Sequence, residues 1–305
     1  MKKLHLLFLF CFVLSFSWAA DIPVKDENQS DTLTVEQETT VEDEMTEDEL
    51  KNFKKSEKLV QKGIEKGKSG DLEIAIEYFN EAIAMDSTYS QAYFNRGFAK
   101  SMKFNTKGAI VDFTKAIELD PYYANAYFNR ALAYADESDN RAAMEDFNLL
   151  IALDSTDAEA YYYRGVCKYF LVEMYPAIAD FDTATMINPN YAEAYYNKAI
   201  AKSRLGDKEG AIEDYTAAIK INPYDADFYN NRGNVKYVMK EYKGAIADYN
   251  KALWLDPSLT RTYSNRGNAH FFMKNKFDAC ADWTKAVEMG FTYAQEALDL
   301  YCKVK

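Results

Sequence analysis

A pattern that returns every 34 residues constrains this 305-residue chain more than any other feature. The segment 93–97 (Tyr-Phe-Asn-Arg-Gly) recurs in related form at the same spacing, and an alanine comb, an aromatic comb and a proline stop keep the same phase. A unit of this length can form two short helices but cannot bury their apolar faces alone, so several units must stack. The chain is therefore expected to be a repeat protein. The combs are Tyr93, Tyr127, Tyr161, Tyr195, Tyr229 and Tyr263; Ala75, Ala109, Ala143, Ala177, Ala211, Ala245 and Ala279; Phe79, Phe113, Phe147, Phe181, Tyr215, Tyr249 and Trp283; and Pro121, Pro189, Pro223 and Pro257.

The second unit shows how the pattern predicts two helices. Tyr93 and Gly97 share one face of a first helix, and Ala109 and Phe113 share one face of a second, because residues four apart lie on the same side of a helix. Pro121 disfavours helix in the residue before it and ends the second helix. Glycine inside a helix costs about 1 kcal/mol relative to alanine. The recurring glycine therefore indicates a close approach of two helices, with Phe113 filling the wedge between them.

On these residues the chain resembles the tetratricopeptide repeat family, whose unit is a 34-residue helix–turn–helix. The resemblance implies an all-α fold: a right-handed superhelical solenoid of seven repeats within 51–293, closed by a capping helix over 294–305. Position 4 is Tyr where the family typically has Trp, position 7 is Arg or Lys where it has Leu, and position 11 is Lys in five repeats where it has Tyr. The predicted repeats are 56–89, 90–123, 124–157, 158–191, 192–225, 226–259 and 260–293.

A charge comb runs through six of the repeats, with a basic residue in the first helix and an aspartate 16 residues later in the second. The planar fork of arginine can hold a carboxylate through two parallel hydrogen bonds. Recurrent opposite charges are more typical of structure than of an anion or metal site. We predict structural ion pairs, formed within a repeat or across to the next. The pairs are Arg96 with Asp112, Arg130 with Asp146, Arg164 with Asp180, Lys198 with Asp214, Arg232 with Asp248, and Arg266 with Asp282.

Residues 1–20 have the pattern of a secretory signal peptide. Two lysines precede an apolar run, and Ser17 and Ala19 place small residues where a signal peptidase cleaves. The run is short for the roughly 20 residues of a membrane span. We expect a cleaved signal peptide of bacterial style and no membrane span after cleavage. The expected location is the periplasm or cell envelope, with secretion as a further destination.

Residues 21–50 carry twelve acidic residues against one lysine, within a chain whose net charge is −12. A segment that lacks bulky apolar residues cannot offset its chain entropy by burial. We expect a disordered acidic arm that serves as a solvated spacer or as a docking tail for a basic partner. A net acidic chain with no basic block argues against nucleic acid as a partner, since neutralising phosphates requires clustered Lys and Arg.

The motifs of enzymes and metal sites do not fit this chain. The stretch 63–69 nearly spells a phosphate-binding loop, but it has three residues between its glycines where four are needed, and it lies in a predicted helix. The chain has two histidines, and no group of His and Cys has metal-ligand spacing. We expect no catalytic activity, no cofactor and no metal.

Three cysteines follow the leader, and an odd number in an exported protein leaves at least one free thiol. Cys280 and Cys302 could meet between the last repeat and the cap, a pairing that the sequence leaves open. Cys167 takes a slot where other repeats have alanine, and we expect it to be a small buried residue.

The resemblance implies a peptide-binding groove lined by the first helices. Aromatic residues of repeats 2 to 5 fall at groove positions and are common interface anchors. Asparagine at position 6 of five repeats is similar to the asparagine ladder of the O-linked N-acetylglucosamine transferase, where a carboxamide donor and acceptor match a peptide unit. The alternative is that the rings stack on neighbouring helices and fill the inside of the superhelix. The predicted peptide-binding residues are Asn95, Asn129, Asn197, Asn231 and Asn265, with Phe94, Phe98, Phe128, Tyr162, Tyr169 and Tyr196.

These observations favour a non-catalytic protein–protein interaction scaffold of the cell envelope that binds an extended peptide or a partner helix. The alternative function is a carbohydrate-binding protein that stacks sugars on the aromatic groove of repeats 2 to 5. A purely structural spacer is a third reading, and the oligomeric state stays open at this stage.

Overall fold

A computed structural model of the chain describes residues 46–302, and within that range the fold is all-α, as predicted. The predictions for residues 1–45, the leader and most of the acidic arm, lie outside the described residues, as do residues 303–305. The helices are α1 Glu47–Lys68, α2 Leu72–Met85, α3 Ser90–Met102, α4 Thr106–Leu119, α5 Ala124–Asp136, α6 Asn140–Leu153, α7 Ala158–Phe170, α8 Met174–Ile187, α9 Ala192–Leu205, α10 Lys208–Ile221, α11 Ala226–Val238, α12 Tyr242–Leu255, α13 Thr260–Phe272, α14 Lys276–Glu288 and α15 Gln295–Tyr301.

The first fourteen helices pair in chain order, so that each odd-numbered helix packs on the next to form a helical hairpin. The hairpins belong to two compact units, one that ends at Ser155 and one that begins at Thr156. In the first unit, α2 packs on α3 and α4 on α5; in the second, the same contact joins α8 to α9, α10 to α11, and α12 to α13. Within each unit, successive hairpins therefore share a core, as stacked repeats must.

Local capping marks the start of four of the seven second helices, α4, α6, α10 and α14. Asn105 and Asp207 precede α4 and α10, and each side chain accepts a hydrogen bond from the backbone N–H three residues on. Asn and Asp are favoured at this position because they satisfy an amide that the first helical turn leaves unpaired. The turn before α10 contains Gly206 at φ +89°, a left-handed conformation that glycine adopts without steric cost.

Helix α1 begins before the end that we predicted for the acidic arm. Thr46 accepts a hydrogen bond from the Glu49 N–H, and the Glu49 carboxylate accepts one from the Thr46 N–H, which together make a capping box. The acidic residues of the first turn also favour the positive end of the helix dipole. The prediction of disorder over 21–50 is therefore wrong for residues 46–50, and the Thr-x-x-Glu pattern was the signal that could have corrected it.

Glycine lets the two helices of a hairpin approach closely. A Cβ added to Gly97 would lie 2.9 Å from Cε1 of Phe113, and one added to Gly267 would lie 2.8 Å from Cδ1 of Trp283. Both rings are at most 2% exposed. The wedge inferred from the sequence of repeat 2 is thus present in repeat 7 as well.

The C-terminal cap is shorter than predicted. A 3-10 turn over Thr292–Ala294 leads into α15, which ends at Tyr301. A disulfide joins Cys280 on α14 to Cys302, which answers the question that the sequence left open. Cys167 is a free, buried thiol, and burial raises its pKa to about 12. Of the helices between residues 46 and 302, none is long and apolar enough to cross a membrane.

Candidate functional site

The predicted groove residues of repeat 2 belong to the core. Phe94 is 1% exposed and packs between the rings of Phe113 and Tyr123, with centroid distances of 5.7 and 4.9 Å. Phe98 and Asn95 are also buried. A side chain with almost no accessible surface cannot contact a peptide, so the prediction of peptide binding is corrected for Phe94, Asn95 and Phe98.

Repeat 3 contributes two half-buried members of the predicted set. The ring of Phe128 meets Phe147 edge-on at 6.0 Å, which places it against the second helix of its own hairpin. Nδ2 of Asn129 donates to the carbonyl of Asn125 in the preceding turn at 2.8 Å. Both side chains thus have partners within repeat 3.

In repeats 4 and 5, the aromatic and asparagine predictions converge on one contact. Tyr162 and Tyr196 pack against the second helices of their own hairpins, and their hydroxyls accept hydrogen bonds from the following repeat. Asn197 Nδ2 donates to Tyr162 at 3.0 Å, and Asn231 Nδ2 donates to Tyr196 at 2.8 Å. Burial raises the pKa of both phenols, so they stay neutral. These rings stack between neighbouring helices, as in the alternative weighed from the sequence.

Tyr169 has a cationic neighbour from the next repeat. The guanidinium of Arg204 lies over its ring, 4.5 Å from the centroid, in the geometry of a cation–π contact. Burial raises the pKa of this phenol, while the charge of Arg204 opposes that effect. One face of the ring is therefore occupied by a protein side chain.

A set of six carboxamides, which we call the amide cluster, lies on the first helices of repeats 5 to 7. At its centre, Oδ1 of Asn234 accepts from the hydroxyl of Tyr249 and from Nδ2 of Asn265, each at 2.9 Å. These bonds join α11 to its own second helix and to the first helix of the next repeat. The amide cluster comprises Asn197, Asn230, Asn231, Asn234, Asn265 and Asn268.

Two members of the amide cluster are held with their donor groups free. The indole N–H of Trp283 donates to Oδ1 of Asn268, and the hydroxyl of Thr262 donates to Oδ1 of Asn230, each at 2.9 Å. An indole N–H can only donate, which fixes which end of the Asn268 amide faces it. Nδ2 of Asn230 and of Asn268 makes no hydrogen bond within the described residues, and neither atom is buried.

Two other members present acceptors. Asn197 and Asn265 use Nδ2 in the hydrogen bonds to Tyr162 and Asn234, which leaves Oδ1 of each without a partner among the described residues and not buried. The cluster therefore offers fixed donors and fixed acceptors on one set of helices. A peptide backbone presents the complementary pairs, one N–H and one C=O per residue.

Sequence reasoning over-weighted position 6 of the repeat. It selected Asn197, Asn231 and Asn265 as site residues, whereas Asn230 at position 5, and Asn234 and Asn268 at position 9, are equally part of the cluster. The available signal was the density of asparagine in the first helix of repeat 6, where three fall within 230–234.

The charge comb forms an ion pair inside each of repeats 2 to 7. Arg96 donates from Nε and Nη2 to the two carboxylate oxygens of Asp112 at 2.9 and 2.7 Å, and the other four arginines do the same with their aspartates. In repeat 5, Nζ of Lys198 lies 3.0 Å from both Asp214 and Asp182. The aspartate side chains are between 2 and 9% exposed. The six pairs predicted from the sequence are thus present within repeats, and Lys198 also pairs with Asp182 of the preceding repeat.

The residues at positions 4 and 11, which differ from the family pattern, also contact these ion pairs. The tyrosine at position 4 lies under the basic residue of position 7, with the charge 4.9–5.7 Å from the ring centroid in six repeats. The lysine at position 11 reaches the same aspartate at 2.7–2.8 Å in repeats 2, 4, 5 and 6. Each of these two departures from the family pattern therefore stabilises a buried ion pair: the tyrosine contacts its basic residue, and the lysine contacts its aspartate.

Repeat 3 lacks the second cation. Tyr134 occupies position 11, and Asp146 is held by Arg130 alone. Burial raises the pKa of Asp146, and its hydrogen bonds from Arg130 only partly oppose this. Within residues 46–302, no group of His, Cys, Asp and Glu is arranged to hold a metal ion.

Comparison with known proteins agrees with this architecture. One family model described as tetratricopeptide repeat matches residues 192–225 and 226–259, and a second with the same description matches 56–89 and 124–157. These bounds coincide with four of the seven predicted repeats. A curated, uncharacterized protein of Methanocaldococcus jannaschii is 48% identical over 48 residues, which are 16% of this chain and 56% of that protein. The chain thus matches just over half the length of this relative.

Two solved structures share the fold. A tetratricopeptide repeat protein from Parabacteroides merdae has a TM-score of 0.62 at 24% identity, covering 82% of this chain and 100% of its own. PilF of Pseudomonas aeruginosa has a TM-score of 0.60 at 20% identity, covering 70% of this chain and 98% of its own. Helical hairpins of 34 residues that stack on one another define a class of repeat scaffold. Within a hairpin, a glycine lets the two helices approach and an aromatic ring fills the space between them. The chain belongs to the tetratricopeptide repeat family, a fold consistent with protein–protein interaction.

Proposed function

We propose that this protein is a non-catalytic interaction scaffold that binds an extended peptide segment of a partner on the amide cluster of repeats 5 to 7. The observation that carries the proposal is that amides of this cluster use one end in a hydrogen bond within the protein and leave the other end without a partner. Four members, Asn197, Asn230, Asn265 and Asn268, each keep one end bonded to a neighbouring helix and present the other to solvent, so their orientation is set before a ligand arrives. Preorganised polar groups lose little freedom on binding, which favours affinity.

The chemistry of the cluster suits a peptide better than a sugar. Free donors on Asn230 and Asn268 match peptide carbonyls, and free acceptors on Asn197 and Asn265 match peptide N–H groups. Sugar stacking needs an exposed ring face. Of the aromatic residues predicted for repeats 2 to 5, Phe94 and Phe98 are buried, and the rings of Tyr162 and Tyr196 pack on other aromatic side chains.

The proposal includes export to the periplasm or cell envelope. Two features support it: the signal-peptide pattern of residues 1–20 and the disulfide between Cys280 and Cys302. Disulfides persist in oxidising compartments and are rare where thiols are kept reduced. Cleavage of the leader can be measured by N-terminal sequencing of the protein recovered from the native host. An intact Met1 in the mature protein would contradict export by this route.

The binding site can be tested with two isosteric substitutions. Asn230→Asp and Asn268→Asp keep the inward oxygen that accepts from Thr262 and Trp283, but replace the outward donor with an acceptor. Peptides selected from a random-sequence display library on the full chain would be measured by fluorescence anisotropy. We expect the double variant to bind them about 5- to 150-fold more weakly, since two hydrogen bonds contribute about 0.5–1.5 kcal/mol each.

A matched control separates the site from a general charge effect. Asn52→Asp and Asn190→Asp add the same two charges at exposed positions outside the cluster. We expect this variant to bind as the parent does. Equal affinities for all three proteins would place the peptide elsewhere, and selective binding to a glycan array with no peptide selected would favour the carbohydrate reading instead.

A further inference from the structure

The outer face of α1 is a stripe of lysines, which we call the lysine face. Val60 and Ile64 are buried toward the bundle. On the opposite side the lysines follow helical spacing, and every one of them is exposed. The stripe extends over about 16 Å, at 1.5 Å per residue. The lysine face comprises Lys51, Lys54, Lys55, Lys58 and Lys62.

These five amino groups make no ion pair within the described residues. Their neighbours do: Lys66 lies 3.6 Å from Asp71, and Lys103 pairs with Glu73 on α2. On this side of α1, Glu47 and Asp48 lie in the first turn and Glu65 follows Lys62 by three residues, and none of these carboxylates makes an ion pair with the five lysines within the described residues. A row of unpaired like charges on one helix face attracts an anionic partner and is costly to leave bare at low ionic strength.

We propose that the acidic segment 36–44 of this same chain docks on the lysine face. The inference goes beyond peptide binding at the amide cluster and involves none of its residues. The charges complement one another, because the segment carries five carboxylates within nine residues against the five lysines. The acidic residues are Glu36, Glu38, Glu42, Asp43 and Glu44.

The reach of the segment is sufficient. The capping box at Thr46 fixes the point where the chain enters α1. From Thr46 to the level of Lys62 is about 24 Å along the helix. An extended stretch of ten residues covers about 33 Å, so the segment can run back along the whole stripe.

The tether sets the character of the contact. Each exposed ion pair is weak and screened by salt, so no single pair holds the segment. Direct connection to α1 makes the encounter intramolecular and raises the effective concentration, which lets several weak pairs act together. We therefore expect the acidic segment to dock on the lysine face of its own chain at low salt and to be released at high salt.

Carbodiimide crosslinking of the full-length chain, read by mass spectrometry, tests the proposal directly. The reagent joins a carboxylate to an amine only when the two are in contact. We expect crosslinks from residues 36–44 to the lysine face, lost when the ionic strength is raised to about 1 M, where the Debye length is about 3 Å. A mixture of isotopically light and heavy protein distinguishes the source of each half, and we expect crosslinks within one copy.

Two variants keep the outcome decisive. The first neutralises the segment by Glu36→Gln, Glu38→Gln, Glu42→Gln, Asp43→Asn and Glu44→Gln, and we expect the lysine face to be acetylated several-fold faster than in the parent. The second changes five other exposed lysines to Gln, and we expect its crosslinks to be unchanged. Crosslinks between copies, crosslinks to lysines of other helices, or equal acetylation rates would each overturn the proposal. The control lysines are Lys107, Lys220, Lys243, Lys276 and Lys285.

Discussion

At the scale of single residues, the second helix of each repeat from 2 to 7 buries an aspartate and pairs it with a basic residue of the first helix. Arg232 grips Asp248 through two hydrogen bonds, Lys236 adds a third contact at 2.8 Å, and Tyr229 lies against the guanidinium. The same arginine reaches back through Nη1 to Thr216 in the preceding repeat at 3.0 Å. Burying a charge is costly unless it is paired and hydrogen-bonded. This arrangement pairs the charge and, through the arginine, ties one repeat to the one before.

Repeat 3 offers a test of this view, because Tyr134 stands where four other repeats have a lysine that contacts the aspartate. We expect Tyr134→Lys to raise the free energy of unfolding by about 1 kcal/mol near neutral pH, by supplying the missing hydrogen bond to the Asp146 carboxylate. Burial raises the pKa of Asp146 in the folded protein. That shift costs stability as the pH rises from the unfolded pKa through the folded one. The gain should therefore be present at neutral pH and vanish in acid, where the carboxyl is protonated.

The measurement is urea unfolding of the parent and the variant over a range of pH. Tyr134→Met serves as the matched control, since it supplies a similar apolar stem without the charge. We expect this control to lack the pH-dependent gain. If the Lys and Met variants behave alike at every pH, the second cation has no energetic role in these repeats.

At the scale of elements, the sequence predicts the hairpins well and the inward-facing side chains poorly. The combs place the turns, because the 34-residue period fixes where each unit ends, and a proline follows the second helix in four of the seven repeats. The 3.6-residue period cannot tell a side chain that faces a groove from one that packs under the next helix, and Phe94 does the latter. The Tyr162–Asn197 bond joins residues 35 positions apart in sequence. Such a contact depends on how far one repeat is rotated against the next, which no single repeat encodes.

The C-terminal cap is the element whose stability depends most on a covalent bond. Helix α15 has seven residues and none of them is buried, so it is too short to persist alone. The disulfide closes a loop of 22 residues, for which the chain-entropy model gives about 3 kcal/mol. We expect Cys280→Ser with Cys302→Ser to lower the stability of repeat 7 by about that amount. Hydrogen exchange should accelerate in 295–301 and leave α9 and α10 protected.

Chemical reduction supplies the control for the cap. A phosphine reductant should reproduce the effect in the parent protein and have no effect on the double serine variant, which has no disulfide to break. Unchanged exchange rates in 295–301 after reduction would show that apolar contacts of Ala294, Ala297 and Leu298 suffice to hold the cap.

At the scale of the whole molecule, stability is assembled from neighbouring repeats. Apart from the disulfide, the hairpins in each unit are held by contacts between elements close in the chain. Such proteins approximate a sum of repeat and nearest-neighbour terms. Damage should then stay near its source, in contrast to a globular domain that unfolds as one body. For the same reason we expect the two proposed sites, the lysine face of α1 and the amide cluster of repeats 5 to 7, to act independently.

The tryptophans make this locality measurable. Trp283 is 2% exposed in repeat 7 and reports on its own surroundings, provided that Trp18 and Trp254 are replaced by Phe. Phe113→Ala in repeat 2 removes a ring that fills the wedge against Gly97, at a cost of about 3–5 kcal/mol. We expect hydrogen exchange to accelerate in α3, α4 and their neighbours, while the urea midpoint of Trp283 emission stays unchanged. The reciprocal change, Phe271→Ala, removes a ring 5.6 Å from Trp283 and should lower that midpoint without affecting α3 and α4. Loss of both regions together in either variant would mean that the repeats unfold as a single cooperative unit, and the nearest-neighbour account would fail.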